Sequence, residues 1–411
     1  MKGPGPVFEE RYRTAREEKI VAMLRLAGFA FEADDSRAEQ QVRDALGEWI
    51  ASGLPFSADA AGGRRFDPVE VIHFLKRRGL EGRDLFWESH YVETGRRLVA
   101  EFAAAPGDSV ELTLRRTIAV TAPAGKPMRL RAPAPLASVD GPALVVEKAV
   151  AEGLDDLRLT VSEGRLEASG LSRGQGEAVM SASYRFPRGW QSVDAPNPRH
   201  LGRREGLIVV SEAIEGLARR LAGPSPRPEN ALRAFWTYML SEYACGPIHY
   251  DQLDLHAPCD FVVRAGWYDC QLGSALFAAL CRAVDIPARL IGGYVLYPRA
   301  PTNHFWAEAW IGGRGWTPFD LLSWDLSRGG RDADWSDRFF GCIDARMVVE
   351  RLPLEFTGAI GAKIPAVWRV LQTPADSGVR IDLEGLDGVR VTRDEIGVRL
   401  WDGARSPCHR D

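Results

Sequence analysis

Three residues have the types and spacing that suit nucleophilic chemistry. Cys270 ends R-A-G-W-Y-D-C, His304 opens H-F-W-A-E-A-W, and Asp320 closes G-R-G-W-T-P-F-D. A thiolate attacks carbonyl carbon, an imidazole takes and returns a proton near neutral pH, and a carboxylate can orient that imidazole. Cys270 and His304 are 34 residues apart, and His304 and Asp320 are 16 apart. Three different elements must therefore bring them together.

The cysteine belongs to a helix. Residues Leu272 to Val284 are apolar on almost every side, which predicts a buried helix, and Pro287 ends it. Cys270 falls in its first turn, where unpaired N–H groups and the positive end of the helix dipole stabilise an anion. Its own backbone N–H is a natural oxyanion donor. Asp269 opposes the thiolate by charge repulsion unless it points to solvent. Cys281, on the same helix, is a core residue.

The histidine and aspartate belong to a hairpin. His304, Trp306, Glu308 and Trp310 share one face of a strand, and Phe305, Ala307, Ala309 and Ile311 share the other. Trp316, Pro318 and Asp320 alternate on the return strand. An even loop centred on Gly313-Arg314 would put His304 and Asp320 on opposite faces. A three-residue loop, Gly312 to Arg314, puts them diagonally on one face, within reach of each other. Gly315 can supply the positive φ that such a loop needs. The chemistry predicts the odd loop.

The rest of the chain is the setting. Its 411 residues are too many for one core, and 45% hydrophobic with 26% charged residues is ordinary for a globular protein. A net charge of −4 leaves no broad basic field, so nucleic acid is not an expected partner. The six cysteines include no C-x-x-C pair, which argues against a disulfide framework or a zinc ribbon. Neither a signal-peptide core nor a bilayer-length apolar run occurs, so no membrane is expected and a reducing, cytoplasmic setting fits. His249, His256, Cys259 and Asp260 match no standard zinc spacing, and no metal is expected.

Periodicity divides the chain. Residues 1–106 read as a helical region, with stripes at Val21, Leu24 and Leu26 and at Val42, Leu46 and Ile50, and with a helix start at Asp67-Pro68. A further helix is expected over Leu85 to Ala104. Residues 107–190 read as an antiparallel, sandwich-like β-domain, and Pro187 to Glu205 as a linker. Residues 206–356 are mixed, with Ser211 capping one helix and Pro228 starting another that turns Leu232, Phe235 and Leu240 inward. Residues 357–411 form a β-rich C-terminal extension.

Together G-W-Y-D-C, R-A-V-D-I-P-A-R-L-I-G-G-Y, H-F-W-A-E-A-W and G-R-G-W-T-P-F-D resemble the transglutaminase-like family, a rearranged branch of the papain-like fold. The resemblance covers roughly residues 231–326. It implies an α+β fold, a papain-like transglutaminase core with a central Cys helix packed on an antiparallel sheet. It implies Cys270 as nucleophile, His304 as general base and acid, and Asp320 as orienter of the imidazole. An upstream aromatic often supplies a second oxyanion donor in this family; Tyr250 and Trp236 are the candidates, Tyr250 the preferred one. Trp267 and Trp306 either line the acyl cleft or pack the core. The β-domain, with R-L-R-A-P-A-P-L, is similar to that of some bacterial members. The departure is F-D-L-L-S, where relatives carry Asp followed by Pro and a hydroxyl residue. The expected activity is cysteine-dependent acyl transfer through a thioester, from a peptide, carboxamide or carrier-bound thioester donor to an amine, without a cofactor. The alternatives are a peptidase or amidase that uses water as acceptor, and a non-catalytic binding or scaffold protein.

Overall fold

The computed structural model describes residues 14–26, 35–78, 96, 99–100, 104, 107, 109–136, 145–162, 165–188, 194–224, 227–245, 248, 253–254, 256–295 (residue 255 excepted), 302–321, 333–342, 346–351, 373–375, 378–380 and 389–401. In chain order these give α1 (Glu17–Leu26), α2 (Asp35–Ala51) and α3 (Pro68–Arg77). Then come β1 (Ser109–Val120), β2 (Pro127–Pro133), β3 (Val145–Glu152), β4 (Leu154–Ser162), β5 (Arg165–Ser172) and β6 (Gly176–Pro187). The mixed region holds α4 (Glu212–Ala222), α5 (Pro228–Glu242), α6 (Pro258–Ala265), α7 (Cys270–Arg282), β7 (Ala288–Val295), β8 (Thr302–Ile311), β9 (Gly315–Phe319), α8 (Ala333–Arg338) and β10 (Arg346–Arg351). The last long strand is β11 (Val389–Trp401). The helix expected over Leu85 to Ala104 lies largely outside the described residues.

The N-terminal helices close on their own apolar cluster, including Ile20, Leu24, Val42, Leu46, Phe66, Val71 and Leu75. The two regions that follow share one core. Antiparallel sheets ordered β11-β1-β6-β3 and β2-β5-β4 bury Leu112, Leu114, Met180, Tyr184, Leu130 and Leu166 in the same cluster as α7 and its surroundings. Alternation along β6 explains this: Ala178, Met180, Ala182, Tyr184 and Phe186 face inward. The C-terminal extension is not a separate layer. Its strand β11 pairs with β1 along nearly the whole length of both, Val389 opposite Val120 and Trp401 opposite Ser109.

The mixed region is a four-stranded antiparallel sheet, ordered β9-β8-β7-β10, with α7 against one face. Every residue from Gln271 to Arg282 is buried, as an all-round apolar helix requires. Phe277 of α7, Trp236 of α5 and Phe319 of β9 meet ring to ring on that face. At the sheet edge Phe340 bridges Phe319. Among the described residues, no helix is long and apolar enough to cross a membrane, which says nothing of strands.

The segment read as a linker is built into this sheet. Asp194 accepts from Arg289 of β7 at 2.9 Å, and its carbonyl accepts from the Trp316 indole at 2.6 Å. Glu205 pairs at 2.5 Å with Arg282, the last residue of α7. Proline content pointed to a connector; the side chains between the prolines make it a strap.

Candidate active site

The hairpin has the three-residue loop. Ile311 pairs with Gly315 and Ala307 with Phe319, and Gly313 and Gly315 take φ of 82° and 79°. This register carries Asp320, the first residue past β9, to the face that holds His304. Nε2 of His304 lies 2.8 Å from Oδ1 of Asp320, with both side chains buried. An ionised carboxylate only accepts, so Nε2 carries the hydrogen and Nδ1 is left as the basic nitrogen.

Asp320 has a second partner that sequence reasoning missed. Arg346 of β10 donates through Nη2 to Oδ2 at 2.6 Å, and both residues are buried. Burial alone would raise this carboxyl, but the charges and hydrogen bonds of His304 and Arg346 outweigh it and hold the group well below the usual carboxylate range. No motif marks Arg346, because it lies on the sheet's far edge strand in R-M-V-V-E-R. The departure at F-D-L-L-S concerned the loop after Asp320 and did not point to this arginine.

Cys270 begins α7 and is partly exposed, while the helix behind it is buried. The helix docks where β8 outruns β9. There Phe305 has no neighbour on β9, and a residue's N–H and C=O point to the same side of a strand. The Phe305 N–H reaches the Cys270 sulfur, and its carbonyl lies 3.5 Å from Ser274 Oγ, which also donates to the Cys270 carbonyl at 2.6 Å. The thiol thus lies against the backbone of the residue that follows His304. Gly273 permits this approach. A Cβ there would meet Tyr268 Cδ2 at 2.5 Å and Leu321 Cδ1 at 2.9 Å, so the unexpected Leu321 packs directly onto the cysteine helix.

Asp269 does not point to solvent. It is buried and caps α7, accepting from the Gln271 and Leu272 amides at 3.1 and 2.8 Å. The helix-terminus expectation for the thiolate is therefore corrected. Burial first, then the Asp269 charge, raise the Cys270 thiol well above its usual value; Asp320 adds to this, and the Phe305 and Gln271 amides oppose it.

The aromatic candidates separate. Trp306 is fully buried on the His304 face, its ring 6.5 Å from the imidazole and tilted by 28°, packed on Ile291 and on Leu136 of the β-domain. Its indole N–H is buried without a partner among the described residues. Trp236 is not placed to hold an oxyanion, because its indole N–H donates to the Ser336 carbonyl at 3.2 Å within the aromatic cluster. Trp267 is buried and meets the His73 ring of α3 edge-on at 3.9 Å, which makes it a packing residue. Tyr250 and His249 lie outside the described residues. Cys259 donates to the Leu207 carbonyl and Asp260 accepts from Ser211, the cap of α4. Among the described residues no group of three or more His, Cys, Asp or Glu side chains is gathered to hold a metal ion.

Residues 215–321, from α4 to Leu321, match the family model of the transglutaminase-like superfamily. No curated protein matches the chain. Among solved structures, a Cytophaga hutchinsonii protein proposed to be a cysteine protease is similar over 75% of this chain and 95% of its own, at 15% identity and a TM-score of 0.45. The periplasmic domain of TgpA from Pseudomonas aeruginosa, bound to ethylmercury, is similar over 58% of this chain and 96% of its own, at 15% identity and a TM-score of 0.29.

Proposed function

Residues 215–321 being a transglutaminase-like core, we propose that the protein is a cysteine-dependent acyl-transfer enzyme in which Cys270, His304 and Asp320 act together. The observation that carries this reading is the buried His304–Asp320 pair, 2.8 Å apart, beside a partly exposed thiol at a helix start. With its thiol raised, Cys270 gives its proton to Nδ1 of His304 as the sulfur attacks, rather than beforehand. The C–S bond forms and the carbonyl oxygen becomes an oxyanion. The Cys270 backbone N–H, which the Asp269 cap does not take, faces that charge. Collapse breaks the bond to the leaving group, which receives the proton from His304 and leaves a thioester.

An acceptor then attacks the thioester while His304 removes its proton, and the sulfur leaves. An amine gives a new amide and water gives the free acid; the acyl-enzyme is the same. The donor is a peptide, a carboxamide or a carrier-bound thioester. The setting is reducing and cytoplasmic, which keeps the thiol free. The finer layout, a sandwich-like β-domain ahead of the core and a helical region before it, belongs to the same reading.

Intact-mass spectrometry with amide, peptide and thioester donors tests this. A mass increase equal to the acyl group, absent in Cys270→Ala, is the expected result. A correctly folded wild-type protein that gains no mass from any of the three classes favours a non-catalytic binding or scaffold role.

A further inference from the structure

Asp320 uses both carboxylate oxygens, one on His304 Nε2 at 2.8 Å and the other on Arg346 Nη2 at 2.6 Å. The two donors arrive from different strands, β8 and β10, which lie on opposite sides of β7. Asp320 itself follows β9, at the far edge. The carboxylate is therefore the point where a hairpin end is tied across the whole sheet. The guanidinium is buried, and the Phe339 ring lies 5.9 Å from it. From α7, the Cys270 thiol is the acidic group that Asp320 acts on.

From this geometry we infer that Arg346 is the positioning residue of the proposed acyl-transfer site: it holds the Asp320 carboxylate oriented against Nε2 of His304 and makes the tautomer of His304 depend on an aspartate at position 320. The inference rests on that reading of function. The reason is chemical. A guanidinium has donors and no acceptor, so whatever occupies position 320 must turn an acceptor toward it. With aspartate, the remaining oxygen accepts from Nε2–H and leaves Nδ1 basic toward the thiol. With asparagine, the only oxygen turns to Arg346 and the NH₂ group faces His304. Nε2 must then accept, the hydrogen moves to Nδ1, and the base is lost. Arg346 thus makes this site need an aspartate, although an amide could orient an imidazole where no such arginine competes for its oxygen.

The test is a double-mutant cycle over Asp320→Asn and Arg346→Met, read by Cys270 acylation and separately by its iodoacetamide modification across pH, with melting curves for folding. Asp320→Asn is expected to be the slowest. Adding Arg346→Met frees the amide to turn, so the double variant should recover at least about tenfold over Asp320→Asn alone. A second loss on a damaged structure would not do this. Arg346→Met alone should move the acid limb of the modification profile to higher pH by about one unit or more, because Asp320 keeps its burial and loses its one permanent cation. Arg346→Lys should restore most of that shift. If Arg346→Met does not fold, Arg346→Gln replaces it with the same expectations. A folded variant with an unshifted acid limb, and a double variant no faster than Asp320→Asn, would overturn the assignment. If the wild-type protein takes no acyl group at all, the proposed function fails, and the iodoacetamide profiles still decide the role of Arg346.

Discussion

One face of the core sheet carries two buried arginine–carboxylate clusters, and they have different fates. Near the hairpin loop, Arg289 holds Glu308 at 2.7 Å and Asp194 at 2.9 Å and lies 3.8 Å over the Trp316 ring. His200 closes this cluster edge-on against Trp316 at 4.7 Å. At the other end of the face, Arg346 holds Asp320, and the second carboxylate oxygen goes to His304. Both ends pair a guanidinium with a buried acid, Glu308 at one and Asp320 at the other. The loop end is sealed by aromatic rings and has no nucleophile beside it. At the other end the acid holds an imidazole, and the partly exposed Cys270 thiol lies against the backbone of the next residue, Phe305. A buried ion pair is weak evidence of chemistry by itself; what it is connected to decides.

The widest separation should come from Asp320→Asn. At the thiol end it keeps the side chain's shape and reverses the imidazole tautomer, so acylation of Cys270 per folded molecule should fall by about 10²–10⁴-fold, beyond the stability lost with the buried Arg346–Asp320 charge pair. Steady-state kinetics beside a melting curve checks this. Arg289→Met should do the opposite. It leaves the buried Glu308 carboxylate without its guanidinium, which costs about 3–5 kcal/mol, while acylation per folded molecule stays within about twofold. Denaturant unfolding measures the first effect, and active-site titration of the folded fraction corrects for it in the second. An Arg289 variant as inactive as Asp320→Asn would erase the distinction between the two ends.

Much of the thiol end was legible in the sequence because its placement is local. An apolar run fixes α7, and period two fixes the faces of β8. The need to bring His304 and Asp320 together selects the odd loop that the structure has, with Ile311 opposite Gly315. What escaped is what depends on pairing between distant segments. Arg346 lies 26 residues beyond Asp320, on a strand whose neighbours in the sheet no local period specifies. Asp194 and Glu205 sat among prolines and read as connector. Trp236 was offered as an oxyanion donor because aromatic type is visible in a sequence and the partner of its N–H is not. Asp269 was legible as a threat to the thiolate, but not its orientation, which follows from its role as cap.

Two smaller effects sharpen the contrast. Gly273→Ala inserts a methyl between Tyr268 and Leu321, both packed and neither free to retreat, so a loss of about 1–3 kcal/mol is expected. Because Leu321 follows Asp320, acylation should fall with stability; calorimetry paired with acylation rates would show whether the two losses travel together. His200 probes the sealed end. Burial first, then Arg289 and Arg282, lower its pKa from 6.5 to about 4, against the weaker pull of Glu205 and Asp194. The folded state therefore resists a proton that the unfolded chain accepts. Stability is fully present above about pH 6.5 and declines as pH falls toward 4. His200→Gln should flatten that decline by about 1 kcal/mol, seen as a smaller acid shift in the unfolding midpoint. An unchanged pH dependence would place the acid-sensitive group elsewhere.

The pairing of β11 with β1 has a consequence in time. The strands are joined by ion pairs such as Arg115–Glu395, across a separation of 280 residues. At the usual 5–20 residues per second, the ribosome needs roughly 15–60 s to travel between them. Throughout that interval one edge of β1 waits without its neighbour, and all four strands of the core sheet, residues 288–351, are made before β11 follows. The segment that holds Cys270, His304 and Asp320 is thus made while the β-domain is unfinished. A message cut short between residues 351 and 389 would yield that segment without the strand that closes the neighbouring sheet.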